Sequence, residues 1–271
     1  MKLYYVTSSS KLYTEGLRKA GCKYQLRSFY FLKSPDSRTL IDKDYDLIDS
    51  GGFSARINGA TIDVREYAKF LNQYQIRLAF NLDTNSVKET LYNQKFLDTN
   101  CPNTYILPVY HVSDFVDDRY RKLLDYYIAM GYKYIGIGGV AGARNNREQE
   151  RRFYNYVFAR TKGDIRCHGL GITSEKILRA YPWYSCDSSS FLAPARFASM
   201  KTASDKMAKV LARTRRYDER VLMDLPYWQK LERSTNLLWK KRGITWEEAN
   251  SDILIKLRDT IKKEDYDNWK Q

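Results

Sequence analysis

Eight short apolar runs alternate with segments of helical periodicity between Lys2 and Asp187. The runs are Lys2 to Thr7, Tyr24 to Leu32, Asp46 to Asp49, Arg77 to Asp83, Tyr105 to His111, Tyr134 to Val140, Ile165 to Ile172 and Trp183 to Asp187. Helical segments are predicted at Ser10 to Ala20, Thr61 to Tyr74, Val87 to Leu97, Asp117 to Met130, Arg147 to Arg160 and Ser174 to Tyr181. Strands separated by helices pair in parallel, because a parallel neighbour needs a crossover long enough to return along the sheet. Eight such units match an α/β chain of the (β/α)8 TIM type; an open doubly wound sheet is the alternative. Polar and glycine-rich residues recur where the runs end: Asp49 to Phe53, Asn81 to Asp83, His111, Gly138 to Val140, His168 to Gly171 and Asp187 to Ser190. A barrel brings those ends to one mouth, whereas an open sheet spreads them along an edge. The recurrence therefore favours the barrel.

At 271 residues the chain is long enough for a large core. No run approaches the roughly 18 apolar residues of a membrane span, so no membrane partner is expected. Met1 to Ser8 reads as a strand and lacks the basic and apolar regions of a signal peptide. The four cysteines, Cys22, Cys101, Cys167 and Cys186, form no C-x-x-C pair. A cysteine zinc site is not expected, nor any cofactor, and a reducing cytoplasm is the simplest setting. The formal charge of +14 points to a polyanionic partner such as nucleic acid.

After Phe191 the alternation gives way to a basic stretch: Arg196, Lys201, Lys206, Lys209, Arg213, Arg215, Arg216 and Arg220, then Lys240-Lys241-Arg242. Thr245 and Glu248 have the spacing of a capping box opening a last helix. The division expected is a barrel over 1–195 and a basic helical extension over 196–271 packed on it. Arg196, Lys201, Arg213, Arg215, Arg216, Lys240, Lys241 and Arg242 are candidate phosphate contacts beside the mouth, the other reading being solvated helix faces. Tyr217, Trp228 and Trp239 recur at helical spacing and are expected in the core.

Asp49-Ser50-Gly51-Gly52-Phe53 joins the third run to a helical segment. Paired glycines let a backbone turn sharply and let a flat ligand reach its amides. The acid ends the strand and the aromatic can lie over that ligand; a plain turn with a capping Asp is the alternative. Asp187 stands in a similar setting late in the chain.

D-S-G-G-F after the third run, G-G-V-A-G after the sixth, H-G-L-G after the seventh and an acid at the eighth together resemble the tRNA-guanine transglycosylases. The segment Y-P-W-Y-S-C-D-S-S-S-F is similar to their shortened phage-type relatives, some of which place 7-deazaguanine bases in DNA. The resemblance covers roughly residues 46–191 and implies a barrel enzyme that exchanges a purine base at C1′ through a covalent intermediate. It implies Asp187 as the nucleophile and Asp49, beside Ser50, as the proton-handling acid. Phe53 would stack on the base, and Gly51, Gly52, Gly138 and Gly139 would line it or offer amides. His168 would cover its other face. Asn81 or Asp83 would be a further base-reading residue, and His111 a base contact. The implied partners are nucleic acid and a free 7-deazaguanine-type base, with a homodimer left open. The setting would be the host cytoplasm if the chain is phage-encoded.

The chemistry is coherent without the resemblance. Displacing a base builds oxocarbenium character at C1′, which one carboxylate traps while a second acid handles the proton. Glycosidase pairs of this kind sit roughly 5 to 10 Å apart, so Asp49 and Asp187 are expected to face each other across a purine-sized pocket. The family's C-x-C-x-x-C zinc pattern is absent, and Ser188-Ser189-Ser190-Phe191 stands where that family carries anticodon-binding arginines. The missing arginines favour DNA over tRNA, and the missing zinc pattern implies either a different scaffold or lost activity. Transglycosylation of tRNA, a catalytically silent nucleic-acid-binding barrel, and an enzyme of small nucleosides or sugar phosphates are the competing readings.

Overall fold

The computed structural model describes residues 1–7, 11–139, 146–192, 222–247 and 251–262. Arg196, Lys201, Arg213, Arg215 and Arg216 lie outside the described residues, as does Glu248 of the expected capping box.

Nine strands form one parallel sheet: β1 (Lys2–Val6), β2 (Gln25–Ser28), β3 (Asp46–Asp49), β4 (Leu78–Phe80), β5 (Tyr105–Leu107), β6 (Val109–His111), β7 (Tyr134–Gly138), β8 (Arg166–Gly169) and β9 (Ser185–Ser188). Their order is β5-β4-β3-β2-β1-β9-β8-β7-β6. The two edge strands are consecutive in the chain, separated by Pro108 alone, so the sheet is nearly closed into a TIM-like barrel. Pro108 splits the predicted fifth strand because it has no N–H to give to a ladder. Its carbonyl still accepts from Gly136, and the neighbouring Leu107 carbonyl accepts from Asn81. Tyr4, Phe80 and His168 come from β1, β4 and β8, yet their rings lie 5.6 and 5.1 Å from one another's centres through His168. Side chains from strands that are not neighbours thus meet across the interior, as in a filled barrel.

Helices surround the sheet: α1 (Lys11–Lys19), α2 (Pro35–Arg38), α3 (Gly52–Ile57), α4 (Val64–Gln73), α5 (Val87–Asn100), α6 (Val112–Val116), α7 (Leu123–Ala129), α8 (Arg147–Thr161), α9 (Glu175–Ala180), α10 (Leu225–Lys241) and α11 (Ser251–Asp259). Several boundaries follow from caps. Asp63 accepts from Arg65 N–H and starts α4 at Val64, three residues after the expected point. Ser86 caps α5 through Glu89 N–H. The helix expected at Asp117 to Met130 is confined to α7; a short helix, α6, precedes that span, and between the two Asp117 and Asp118 pair with Arg119 and Arg121.

On the outer face of β2 and β3, Arg27 is buried against Asp46, Nε to Oδ2 2.5 Å, and also bonds Thr14 and Gln25. Burial pushes the Asp46 carboxyl up, and the Arg27 charge opposes that. Such a pair tolerates no loss of one partner.

The C-terminal helices are part of the barrel. Helix α10 packs beside α1, where Gln229 donates to the Ala20 carbonyl, and beside α9, where Trp239 donates to the Leu178 carbonyl. It descends from the strands' C-terminal end to their N-terminal end, placing Asn236 on Met1. The chain then crosses that lower end: Trp246 meets Tyr184 edge-on, and Thr260 bonds the Gly131 carbonyl at 2.6 Å. Trp228 is in the core as expected, whereas Trp239 is half-buried.

Candidate active site

Parallel strands point all their C-terminal ends one way. Asp49 ends β3, His111 ends β6, Gly138 ends β7, and Asp187 lies one residue before the end of β9. The loop after β4 brings Asp83 to the same end, where it meets His111.

Gly51 explains the turn after Asp49. Its φ is +77°, and a Cβ there would come within 2.5 Å of both Ser28 Oγ and Tyr30 Cβ. No residue but glycine fits that conformation and that space. The turn aims Gly51 N–H at Asp49 Oδ2, 3.1 Å away, and Gly52 N–H at the buried Ser50 Oγ, 3.4 Å away. Helix α3 starts at Gly52, and Phe53 in its first turn is 69% exposed, open to a flat ligand. A Cβ on Gly52 would press on the Asp83 carbonyl at 3.3 Å, so the second glycine lets the β3 and β4 loops touch. Arg56 of α3 reaches the same carbonyl at 3.2 Å.

Burial pushes the Asp49 carboxyl up to about 7, with the negative charges of Asp83 and Asp187 adding to the effect and Gly51 N–H opposing it. Three carboxylates therefore converge on this mouth, and Asp49 senses the other two. Asp187 is nearly buried and is held by two groups: Gly171 N–H at 3.1 Å and His168 Nε2 at 3.2 Å. Gly171, in the left-handed region at φ +67°, closes the H-G-L-G turn that presents this amide. His168 Nδ1 is in turn 2.8 Å from Ser185 Oγ, which lies 2.6 Å from the Tyr134 hydroxyl. The buried relay Tyr134, Ser185, His168 orients one oxygen of Asp187.

The Asn81 and Asp83 alternatives separate. Asn81 is fully buried, and its amide donates to the Thr90 carbonyl, so it belongs to the barrel wall. Asp83 has a quarter of its side chain exposed and pairs with His111 Nε2 at 2.8 Å. Burial would raise the Asp83 carboxyl, but the hydrogen bond and charge of His111 outweigh it and hold it below the usual range. For His111 the same contact outweighs burial in the other direction, and its imidazole is pushed up. Gly138 and Gly139 back that imidazole: a Cβ on either would come within 3.1 or 3.2 Å of Nδ1.

His168 and the basic cluster are placed differently from expectation. His168 is fully buried between Tyr4 and Phe80, under Asp187, where it supports the carboxylate and presents no face to a ligand. Its Cα pairs with Ser185, two residues below Asp187, and that depth is the physical reason. Lys240, Lys241 and Arg242 end α10 at the opposite end of the barrel. There Arg242 donates to the Arg179 carbonyl and stacks on Trp239, 4.7 Å from the ring centre. The expected basic surface beside the mouth does not include them, because α10 runs away from the mouth. Lys and Arg in a helix's last turn also complement its dipole.

Beside Asp83 a groove of about 750 Å³ opens between α3 and the start of α5, lined by Gly52, Arg56, Leu82, Asp83, Asn85 and Tyr92 among others. Its size is that of a small-molecule pocket, roughly 300 to 1,000 Å³. Gly171, Ser185, Arg56 and Asp114, which accepts from His111 N–H at 2.8 Å, are members of the site that sequence reasoning passed over. Only Gly171 carried a signal, as the last residue of H-G-L-G. Among the described residues no His, Cys, Asp and Glu side chains group as a metal site would. Compared with models of known protein families and with curated proteins, the chain matches none.

Proposed function

We propose that the chain is a base-exchanging glycosyltransferase of the guanine transglycosylase type, acting on nucleic acid, DNA before tRNA. The nearly closed sheet is read as a (β/α)8 barrel whose fifth strand is interrupted at Pro108. The observation that carries the reading is that Asp49 and Asp187 share one mouth in different settings, the charge of Asp187 adding to the rise of the Asp49 carboxyl. Asp49 is held close to neutral pH, where a carboxyl can both give and take a proton. Asp187 has one oxygen fixed by Gly171 and His168, leaving the other to attack.

In this reading Asp187 attacks C1′ as the bond from C1′ to the base nitrogen breaks. Asp49 protonates the departing base. An incoming 7-deazaguanine-type base then gives its ring N–H proton to Asp49, and its nitrogen displaces Asp187 from C1′. No net proton or electron is consumed. Phe53 offers an exposed ring for stacking, and Asp83 an ionised acceptor for the base's N–H edge.

The test is incubation with labelled guanine analogues and either duplex DNA or tRNA, followed by nucleoside analysis. Label in deoxynucleosides supports the DNA reading, and label in ribonucleosides moves the substrate to tRNA. Label in neither, with exchange on free nucleosides alone, would replace it with the small-molecule reading.

A further inference from the structure

We propose that His111 is a positioning residue that acts on the base through Asp83, clamping one oxygen of that carboxylate so that the other faces the base. The inference rests on the base-exchange reading for what Asp83 touches, but its core concerns the protein alone.

The geometry is that of a clamped ring. One side of the imidazole meets Asp83 Oδ2 at 2.8 Å. The other side fills the slot left by Gly138 and Gly139, where any Cβ would crowd Nδ1. The backbone of His111 is fixed as well, since its N–H donates to Asp114 Oδ2 at 2.8 Å and caps α6. A ring held on two sides is poorly placed to read a base edge itself. It occupies one oxygen of Asp83 and leaves the other for a ligand N–H.

The second part follows from charge. The Asp83 charge raises the cost of ionising Asp49 in a buried mouth, while the Asp83 carboxyl itself is held down by His111. The charged groups facing His111 are Asp83 from the β4 loop, Asp114 from α6 and Arg56 from α3; the two acids favour its cationic form and Arg56 opposes it. The imidazole sits on Asp83, not on Asp49. That contact holds the Asp83 carboxyl down, whereas the Asp49 carboxyl is pushed up.

The experiment is ¹³C NMR of aspartate carboxyl groups against pH in the full chain without substrate, for wild type, His111→Gln, Asp83→Asn and Asp49→Asn. In wild type the signal missing from Asp49→Asn should titrate near 7, and the signal missing from Asp83→Asn should stay ionised. In His111→Gln the Asp83 signal should move to higher pH than in wild type, and the Asp49 signal to lower pH. An Asp83 signal unmoved without His111 would overturn the proposal. Should His111→Gln not fold, Asp83→Asn decides, since an unmoved Asp49 signal there denies the coupling. Because no substrate is present, these outcomes are independent of whether the chain exchanges bases. Where exchange is detected, His111→Gln should raise KM for the free base and shift the pH profile; an unchanged KM and profile would count against positioning.

Discussion

The two ends of the barrel are built on opposite principles. At the C-terminal mouth the side chains are ionisable and close together: Asp49, presented by a turn that only glycine allows at Gly51, with Asp83, His111 and Asp187. At the N-terminal end the chain covers the strands with its own C-terminal segment. Trp246 packs on Tyr184, Leu254 and Ile261 are buried, and Thr260 and Lys262 bond the backbone at Gly131 and Met130. The lower end gains stability from burial and closed hydrogen bonds, while the upper end gathers three acids, two of which raise the third. Separating the two lets the mouth carry unfavourable electrostatics without loosening the sheet. Substitutions at the two ends should therefore separate cleanly into losses of chemistry and losses of stability.

The largest effect is expected at the mouth. Asp187→Asn keeps the shape that Gly171 and His168 hold, but an amide neither attacks C1′ nor balances an oxocarbenium charge. Turnover should fall by roughly three orders of magnitude or more, with a melting temperature close to wild type. Kinetics and thermal melts on the same preparation check both halves. Arg27→Ala in the barrel wall should do the reverse. It leaves Asp46 buried and unpaired and should cost about 3 to 5 kcal/mol in denaturant unfolding, with turnover per folded molecule retained.

The pH dependence has a definite sign. Asp49 is raised to about 7 in the folded chain. Covalent adduct formation, which needs it protonated, should fall about tenfold per pH unit above that point. Asp49→Asn should lose this limb while still forming adduct slowly. The same shift makes the neutral form stabilising: the contribution is whole below the unfolded carboxyl's value and is lost as pH rises through about 7. The His111–Asp83 pair adds stability below the ordinary imidazole value that is lost as pH rises through the raised one.

Smaller effects belong to the lower end. Gly131 sits at φ +90°, and a Cβ there would overlap the Thr260 carbonyl. Gly131→Ala should destabilise by about 1 to 3 kcal/mol and leave the mouth's chemistry intact, as calorimetry beside single-turnover rates would show. Smallest of all, reversing Lys240, Lys241 and Arg242 to Glu should cost about 1 kcal/mol, from the lost dipole complement and Arg242 contacts. Substrate affinity at the mouth should change little, and a large loss in binding titrations would mean that nucleic acid reaches the lower end too.

The parallel barrel was legible because strand-forming runs are short, regularly spaced and followed by helical periodicity. The acids at the strand ends were legible for the same reason: Asp49 and Asp187 interrupt apolar patterns at corresponding places. Less was legible where partners come from distant segments. Nothing local pairs His111 with Asp83, 28 residues away, or Arg27 with Asp46. Helix α3 escaped notice because it is six residues long and begins at a glycine, a poor helix former. His168 looks like a ligand contact in its motif, yet its depth in the barrel depends on strand register, which no motif encodes. Lys240 to Arg242 read as part of one basic surface because composition gives charge without direction, and α10 carries them to the far end.

The central claim is that two acids at one mouth, Asp187 and Asp49, divide nucleophile from proton carrier. The most direct measurement is denaturing electrophoresis of wild type, Asp187→Asn and Asp49→Asn after incubation with duplex DNA, to resolve a covalent protein–DNA species. The account predicts adduct with wild type, a slower yield with Asp49→Asn, and none with Asp187→Asn while it still folds and binds DNA. Adduct or full turnover from Asp187→Asn would contradict it.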